Sequence, residues 1–487
     1  MYSILTLPLI CLIALLNFTV YSSLSFYDVQ RVSVVAIAVF SCLVASVQLV
    51  FWPHFWRLKL KLSYSTLTIV FFVFSLFFLV IFDSAYPVGG YVEFFLTASL
   101  LVTCALLSNC FLTNPKNSAQ VVSIALLLVF TLYYFQFLVS FIGGLVTGYS
   151  IEREVLIHHF SNVRFVNHLQ VLATPLLIFL FLTGSRSAIR IAAFLVASLG
   201  IAILLFCSAR AATGCLLIGF VLCLFLLRFD RDFVRASVLV LASGAFIFGL
   251  LFKLIPELVF ETEVEELRVN LNSSGRWDLW VEAISLIRDN WLLGVGPQHY
   301  AVYSDYGFGH PHNLILQLAL DYGVIIAGLL MAGLCLFGIC TCKTISAPNA
   351  FGFEKACTWS LVSIFGTSLF SGVWVAPMTQ LLVVLVAAPL VAILRHPAIK
   401  GDVNAVCYDQ VMSKSYTSTR RELLLQRLIA VGVITMTCAM AWFVGAEVKQ
   451  RIDAPVILGD AEIKVIHAPR FWQYQHWDLR PEGEQNK

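Results

Sequence analysis

Asn272-Ser273-Ser274-Gly275-Arg276-Trp277, Trp291-Leu292-Leu293-Gly294-Val295-Gly296-Pro297 and His310-Pro311-His312-Asn313 follow one another within a single segment, Val269–Gly323. It closes on Leu314-Ile315-Leu316-Gln317-Leu318-Ala319-Leu320-Asp321-Tyr322-Gly323, and long apolar runs border it on both sides. That setting decides the fold: the segment is an insert between two membrane-length runs. Ser273 or Ser274 is placed to cap a helix whose first turn holds Asp278, because a side-chain oxygen there accepts the orphan backbone N–H groups. Trp277, Trp280, Val281 and Ile284 then recur at helical spacing and predict one apolar face. Gly294–Pro297 ends that helix, a second short helix is expected from His312, and Gly323 opens a fresh apolar run.

Working outward, the chain is 60% hydrophobic and 12% charged, with a mean hydropathy of +0.88. Soluble domains carry about twice that share of charge, so the composition is that of a membrane protein. A net charge of +3, without a basic run interleaved with aromatics, gives no argument for a nucleic-acid partner, and none is expected. The thirteen cysteines sit mostly in apolar runs and read as small hydrophobes, not as a disulfide framework. The N-terminus lacks a basic segment and a small-residue cleavage site, so it reads as a retained first span.

A helix needs about 20 apolar residues to cross the hydrocarbon. By that measure the sequence offers thirteen runs, near 3–23, 32–52, 64–82, 91–113, 119–144, 167–183, 190–207, 211–227, 236–254, 323–341, 357–375, 378–394 and 428–446. The last two before Arg395 are parted only by Ala376-Pro377, which suggests a tight hairpin. Seventeen Lys/Arg fall on one side by parity and fourteen on the other. Ten of those fourteen lie in the long insert or the C-terminal tail, and long segments hardly influence orientation. The short loops therefore place the N-terminus in the cytoplasm and the insert and tail outside, which is the periplasm of a two-membrane bacterium. The expected organisation is N-terminal transmembrane helices over 1–255, a periplasmic catalytic loop over 256–322, C-terminal transmembrane helices over 323–446 with a cytoplasmic linker at 395–427, and a periplasmic tail over 447–487.

Two further outer-side pieces stand out. Tyr149–His168 carries Glu152, Arg153, Glu154, His158, His159, Arg164 and His168, dense polarity for so apolar a chain. Its stretch Phe160–Phe165 reads either as a lid or acceptor-contacting loop, or as a solvated connector. Cys207-Ser208-Ala209-Arg210-Ala211 lies at an outer junction of two runs. Gly184-Ser185-Arg186-Ser187 has a similar lettering, but parity puts it in the cytoplasm, where it reads as a positive-inside anchor.

In the order and setting of these pieces the chain resembles the O-antigen ligase and polymerase family of bacterial membrane glycosyltransferases. The resemblance rests on Ser-Gly-Arg followed by Trp277, on Gly294-Val295-Gly296-Pro297, on His310-Pro311-His312-Asn313 before Asp321-Tyr322-Gly323, and on Ser208-Ala209-Arg210, with Ala209 where the family usually has Gly. It implies an all-α, GT-C-like polytopic membrane protein of about 12–13 transmembrane helices, with one large periplasmic loop containing short helices. It implies transfer of a glycan from an undecaprenyl-pyrophosphate donor to an acceptor hydroxyl, with no metal and no cofactor. Charge grows on the departing phosphates in such a step, and arginine forks suit phosphate oxygens. A histidine near neutral pKa is the usual base for the attacking hydroxyl. The resemblance accordingly assigns Arg210 and Arg276 to the pyrophosphate and His312 to the acceptor. Arg164, His310 and Asn313 are further substrate-binding candidates, and a single displacement inverts C1.

Each residue also has a plainer reading. Arg210 serves as an interfacial anchor, Arg276 pairs with acids, and His310, His312 or Asn313 caps a helix. The acids are plentiful: Pro256–Pro311 holds nine Asp/Glu against three Lys/Arg. Membrane lipids are a partner in any case. The acceptor separates three enzymes, namely a ligase acting on lipid A-core, a polymerase acting on another glycan repeat, and a protein O-oligosaccharyltransferase acting on a pilin or similar protein. The short tail favours the first two. A lipid-linked oligosaccharide flippase is the non-enzyme alternative, but charges here avoid the centres of the runs and gather on one side.

Overall fold

The computed structural model describes residues 2–17, 24–51, 87–148, 153–160, 162–260, 275–304, 308–346, 352–395 and 420–453. Every regular element among them is helical. In chain order these are α1 (Tyr2–Asn17), α2 (Phe26–Phe51), α3 (Pro87–Thr113), α4 (Pro115–Thr147), α5 (Arg153–Leu156), α6 (Val163–Thr183), α7 (Ser187–Phe206) and α8 (Arg210–Leu227). There follow α9 (Arg231–Gly249), α10 (Ile255–Phe260), α11 (Arg276–Asp289), α12 (Tyr300–Tyr303), α13 (Leu314–Ile345), α14 (Gly352–Ser368), α15 (Pro377–Arg395) and α16 (Arg420–Asp453). Ten helices among the described residues are long and apolar enough to cross a membrane, and the shorter stretch Leu5–Asn17 is apolar too. The chain is thus an all-α polytopic membrane protein. Helices are what such a chain must form, since lipid offers no partner to a backbone N–H or C=O. The expected span at 64–82 and the tail beyond residue 453 lie outside the described residues.

The chain divides into two compact units. The first comprises Met1–Tyr21, Leu107–Leu271 and Gly338–Ala405. Helix α6 is its axis, buried without interruption from Phe165 to Leu180 and packed by α4, α7, α9, α14 and α15. Small residues set the approach of its neighbours, as van der Waals packing in lipid requires. A Cβ on Gly244 of α9 would run into Ile201 and the Ser198 carbonyl of α7; one on Gly219 of α8 would run into Ser363 of α14. Trp359 of α14 is fully buried, donates from Nε1 to the Leu216 carbonyl at 2.9 Å, and lies among the rings of Phe220, Phe229 and Phe233. Some polar side chains are paired in the interior: Arg395 donates to Ser108 Oγ and to Asn109 Oδ1, each at 2.8 Å.

Three boundaries differ from expectation. Helix α6 begins at Val163, four residues early, because Asn162 caps it by accepting from the Arg164 N–H at 2.9 Å. Helix α9 continues through a π-helical turn, Leu250–Leu254, into α10, and Phe252 in that turn is buried against Phe137, Phe141 and Phe206. The run expected at 357–375 stops being α-helical at Ser368, and a 3₁₀ turn at Val373–Val375 intervenes before α15.

The second unit comprises Ser22–Leu106, Asn272–Phe337 and Val406–Lys487. Helices α2 and α16 pack together in it, with Ser46 Oγ donating to the Ala430 carbonyl at 3.4 Å. Phe94 of α3 meets Tyr322 and Ile326 of α13. The helix α16 starts at Arg420, ahead of its apolar run.

Trp359→Ala removes a fully buried ring and leaves a cavity that helix packing cannot close. It should cost about 3–5 kcal/mol, read as a lower melting temperature of the detergent-solubilised protein, while Trp359→Phe should cost markedly less.

Candidate active site

The insert of the second unit is a small folded module built on α11. This helix starts after Gly275, which takes the N-cap position with φ 74° and makes no side-chain capping bond; Ser273 and Ser274, expected as caps, lie outside the described residues. Its buried face differs from the one anticipated. Leu279 and Ala283 are buried, and Ala283 forms a core with Tyr300 and Leu320, flanked by Leu286, Ile287, Val295 and Leu316. Trp277, Val281 and Ile284 are instead exposed. The apolar spacing was read correctly, but the helix carries two apolar faces and the protein covers the other one.

Past α11 the chain folds onto the start of the next membrane helix. Val295 N donates to the Leu320 carbonyl at 2.7 Å, and Val324 N donates to the Trp291 carbonyl at 2.9 Å. Between these bonds Gly294 (φ 74°) and Gly323 (φ 78°) bring the two backbones into contact. A Cβ on Gly294 would strike the Leu320 carbonyl, and one on Gly323 would strike the Leu292 carbonyl. The two glycine-bearing motifs are therefore one structural joint. Gly323, with ψ 165°, is a break inside α13, and a second, apolar helical segment runs on from it as expected.

Beyond the joint, Gln298 Nε2 donates to the Gly89 carbonyl at the start of α3 at 3.0 Å. Buried His299 lies with Nδ1 2.9 Å from the Pro297 carbonyl, which fixes that nitrogen as the protonated one. Glu282 Oε2 is held 2.7 Å from the Tyr300 hydroxyl and 2.8 Å from Ser304 Oγ.

The His-Pro-His-Asn run is ordered by this module. Trp280 Nε1 donates to the Pro311 carbonyl at 3.0 Å. Trp280 lies one turn beyond Arg276, on the same helix face, so the face bearing Arg276 is the one tied to the histidine loop. The helix α13 begins at Leu314, not at His312: Asn313 Oδ1 accepts from Ile315 N at 3.0 Å and Leu316 N at 3.1 Å and is the cap. Asn313 thus has a structural duty, and His312 is relieved of it. His312 is half-buried at φ 55°, a left-handed conformation uncommon for a side-chain-bearing residue. Its N–H donates to Nδ1 of buried His310 at 3.2 Å, and the two rings stand edge-on with centroids 4.2 Å apart. His310 thus braces His312, with Phe308 against the same His312 ring at 5.6 Å.

Helical phase separates Arg276 from the acids of its own helix. Asp278, Glu282 and Asp289 point roughly 200–240° around α11 from Arg276 at 3.6 residues per turn.

Arg164 and Arg210 belong to the first unit and share one end of it. They sit at the N-termini of α6 and α8, and the intervening α7 returns the chain from the far end. Arg186 precedes α7, so some 30 Å of helix separates it from Arg210. Ser208 (φ 51°) turns the chain, its carbonyl accepting from Arg210 N at 2.8 Å, and Arg210 is exposed. At the same end buried His168 bonds through Nε2 to Ser371 Oγ at 2.9 Å, a partnership across 203 positions with no signal in the sequence. His158 Nε2 lies 2.8 Å from Ser140 Oγ; burial pushes its imidazole below the ordinary histidine range, and burial together with His158 does the same to His159. The Phe160–Phe165 stretch is half helical, Val163 onward being the first turn of α6. Among the described residues no group of three or more His, Cys, Asp or Glu is arranged to hold a metal ion.

The joint yields a direct expectation. Gly294→Ala or Gly323→Ala pays about 1–2 kcal/mol for a left-handed alanine, and the new methyl meets backbone, which cannot swing aside. Each should lower the melting temperature by several degrees, whereas Gly328→Ala, where a Cβ meets nothing within 4 Å, should not.

No curated protein and no solved structure matches the chain. A family model described as O-antigen ligase matches residues 171–332, about a third of the chain. The match takes in Arg210, Arg276, His310, His312 and Asn313 and leaves out Arg164. Over residues 171–332 this multi-pass protein is thus similar to the O-antigen ligase family.

Proposed function

We propose that the protein is an O-antigen ligase of the bacterial inner membrane, moving a glycan from undecaprenyl pyrophosphate to lipid A-core on the periplasmic face. The observation that carries this reading is the seating of His312. It is braced by His310, freed from capping by Asn313, and held beside the helix face that bears Arg276. In this reaction His312 takes the proton of the acceptor hydroxyl, the oxygen attacks C1 of the donor sugar, and the bond from C1 to the pyrophosphate oxygen breaks with inversion. Arg276 and Arg210 are the cations for the leaving pyrophosphate, as their guanidinium forks suit phosphate oxygens and remain charged. Arg164 is a further contact for the substrate. His310 and Asn313, read from sequence as substrate contacts, act by positioning. The step asks for no metal or cofactor.

The deciding assay is incubation of the purified protein with undecaprenyl-pyrophosphate glycan and each acceptor in turn. Transfer to lipid A-core supports the ligase, transfer to a second lipid-linked glycan makes it a polymerase, and transfer to a pilin serine makes it a protein glycosyltransferase. Lipid translocation without transfer to any acceptor would overturn the enzyme reading altogether.

The orientation follows from the short-loop Lys/Arg balance. An impermeant thiol reagent should label a cysteine placed at Asn272 or Gly459 in spheroplasts and should not label one at Ser415; the reverse pattern inverts the topology.

Removing either Arg210 or Arg276 should cut transfer about a hundredfold or more, with only partial rescue by Lys. Arg186→Ala, at the other end of α7, should leave transfer nearly intact. His312→Ala should lose transfer and keep donor binding, and the wild-type rate should fall on the acid side as a histidine base takes up its proton. His312→Asn is the sharpest member of the series, because asparagine accepts a left-handed backbone readily. Near-normal transfer by His312→Asn would remove the base from the mechanism.

A further inference from the structure

The face of α11 that the protein leaves uncovered is the starting point. Trp277, Val281, Ile284 and Arg288 are spaced by four, three and four residues, which keeps them on one side of the helix, and Trp291 follows in the turn just past its end. Trp277, Val281, Ile284 and Trp291 are 63%, 53%, 56% and 56% exposed. The opposite side is occupied by the core around Ala283, and a third side carries the acids. An exposed stripe with a tryptophan at each end is costly in water and suits the boundary between headgroups and acyl chains, where indole rings concentrate.

The joint fixes where this stripe ends. Trp291 accepts from Val324, the first residue after the break in α13, so the stripe runs up to the beginning of the membrane span. Val324 and Ile325 there are likewise exposed, at the start of a helix long enough to cross the hydrocarbon. Arg288, the single charge within the stripe, has a long apolar stem and directs its guanidinium to Asp289 at 3.3 Å, so its head can stay at headgroup level.

We propose that α11 is an interfacial helix, with the stripe from Trp277 to Trp291 seated in the headgroup–acyl boundary of the bilayer as a continuation of the lipid-facing surface of α13. This goes beyond the transferase reading and does not depend on it. The occupant is phospholipid, and the asymmetry of the helix, with lipid on one side and protein on another, holds it level with the membrane surface.

The test uses the full-length protein reconstituted into vesicles of phosphatidylethanolamine and phosphatidylglycerol. A diazirine-bearing amino acid is placed at Val281 or Ile284 on the stripe, or at the exposed Asp278 or Ser285 on the polar side. After irradiation, lipid adducts are measured by mass spectrometry. Positions 281 and 284 should give about tenfold more phospholipid adduct than 278 and 285. Equal yields on the two sides, or adducts at 281 and 284 that are to protein, would overturn the proposal, the latter assigning the stripe to a second copy. Two positions per side guard against one misfolded variant, and no transfer activity enters the readout.

Discussion

A helix that breaks at the membrane surface leaves carbonyl oxygens without partners, and this is the constraint on which the insert depends. Breaking α13 at Gly323 would orphan such groups. Here Leu320 receives the Val295 N–H, and Val324 gives its own N–H to Trp291. The insert repairs the helix, and the helix seats the insert. Neither half tolerates a Cβ, since each glycine packs against the other strand of backbone. The core of Ala283, Tyr300 and Leu320, the tie from Trp280 to Pro311 and the cap at Asn313 all take their position from this joint.

The first unit is governed by a different economy. With no hydrophobic force between helices in lipid, α6 is surrounded by close approaches at Gly219 and Gly244 and by polar pairs that must be completed internally. His168 with Ser371, and Arg395 with Ser108 and Asn109, are such pairs at opposite ends of their helices. The interruption of α-helix between Ser368 and Pro377 supplies Ser371 from outside regular helix, and it partners the buried His168 of α6.

Most of the architecture was legible because membrane-length apolar runs leave few choices. The motif order and the family it points to were legible for the same reason: short polar pieces stand out in so apolar a chain. What periodicity could not show was which of two apolar faces of α11 the protein would cover, since Trp277–Val281–Ile284 and Leu279–Ala283 have the same spacing. Nor could it show that Asn313 and not His312 caps α13, as both are suitable in type and adjacent in sequence. That Gly294 answers Gly323 is a contact between positions 29 apart, and nothing local announces it. Trp280 was legible only as an apolar residue; its indole N–H acquired a role when Pro311 arrived beside it.

The angular separation of Arg276 from Asp278, Glu282 and Asp289 has an electrostatic consequence. A helix with its side chains is about 10–12 Å across, close to the screening length of physiological salt, about 8 Å. Charges on opposite sides of α11 are therefore largely hidden from each other. Glu282, pinned by Tyr300 and Ser304, cannot swing round to cancel the arginine. An anion approaching from the acidic side is repelled, while one approaching from the arginine side meets a cation first. The single helix works as a dielectric partition, giving an acidic segment a polarity of approach.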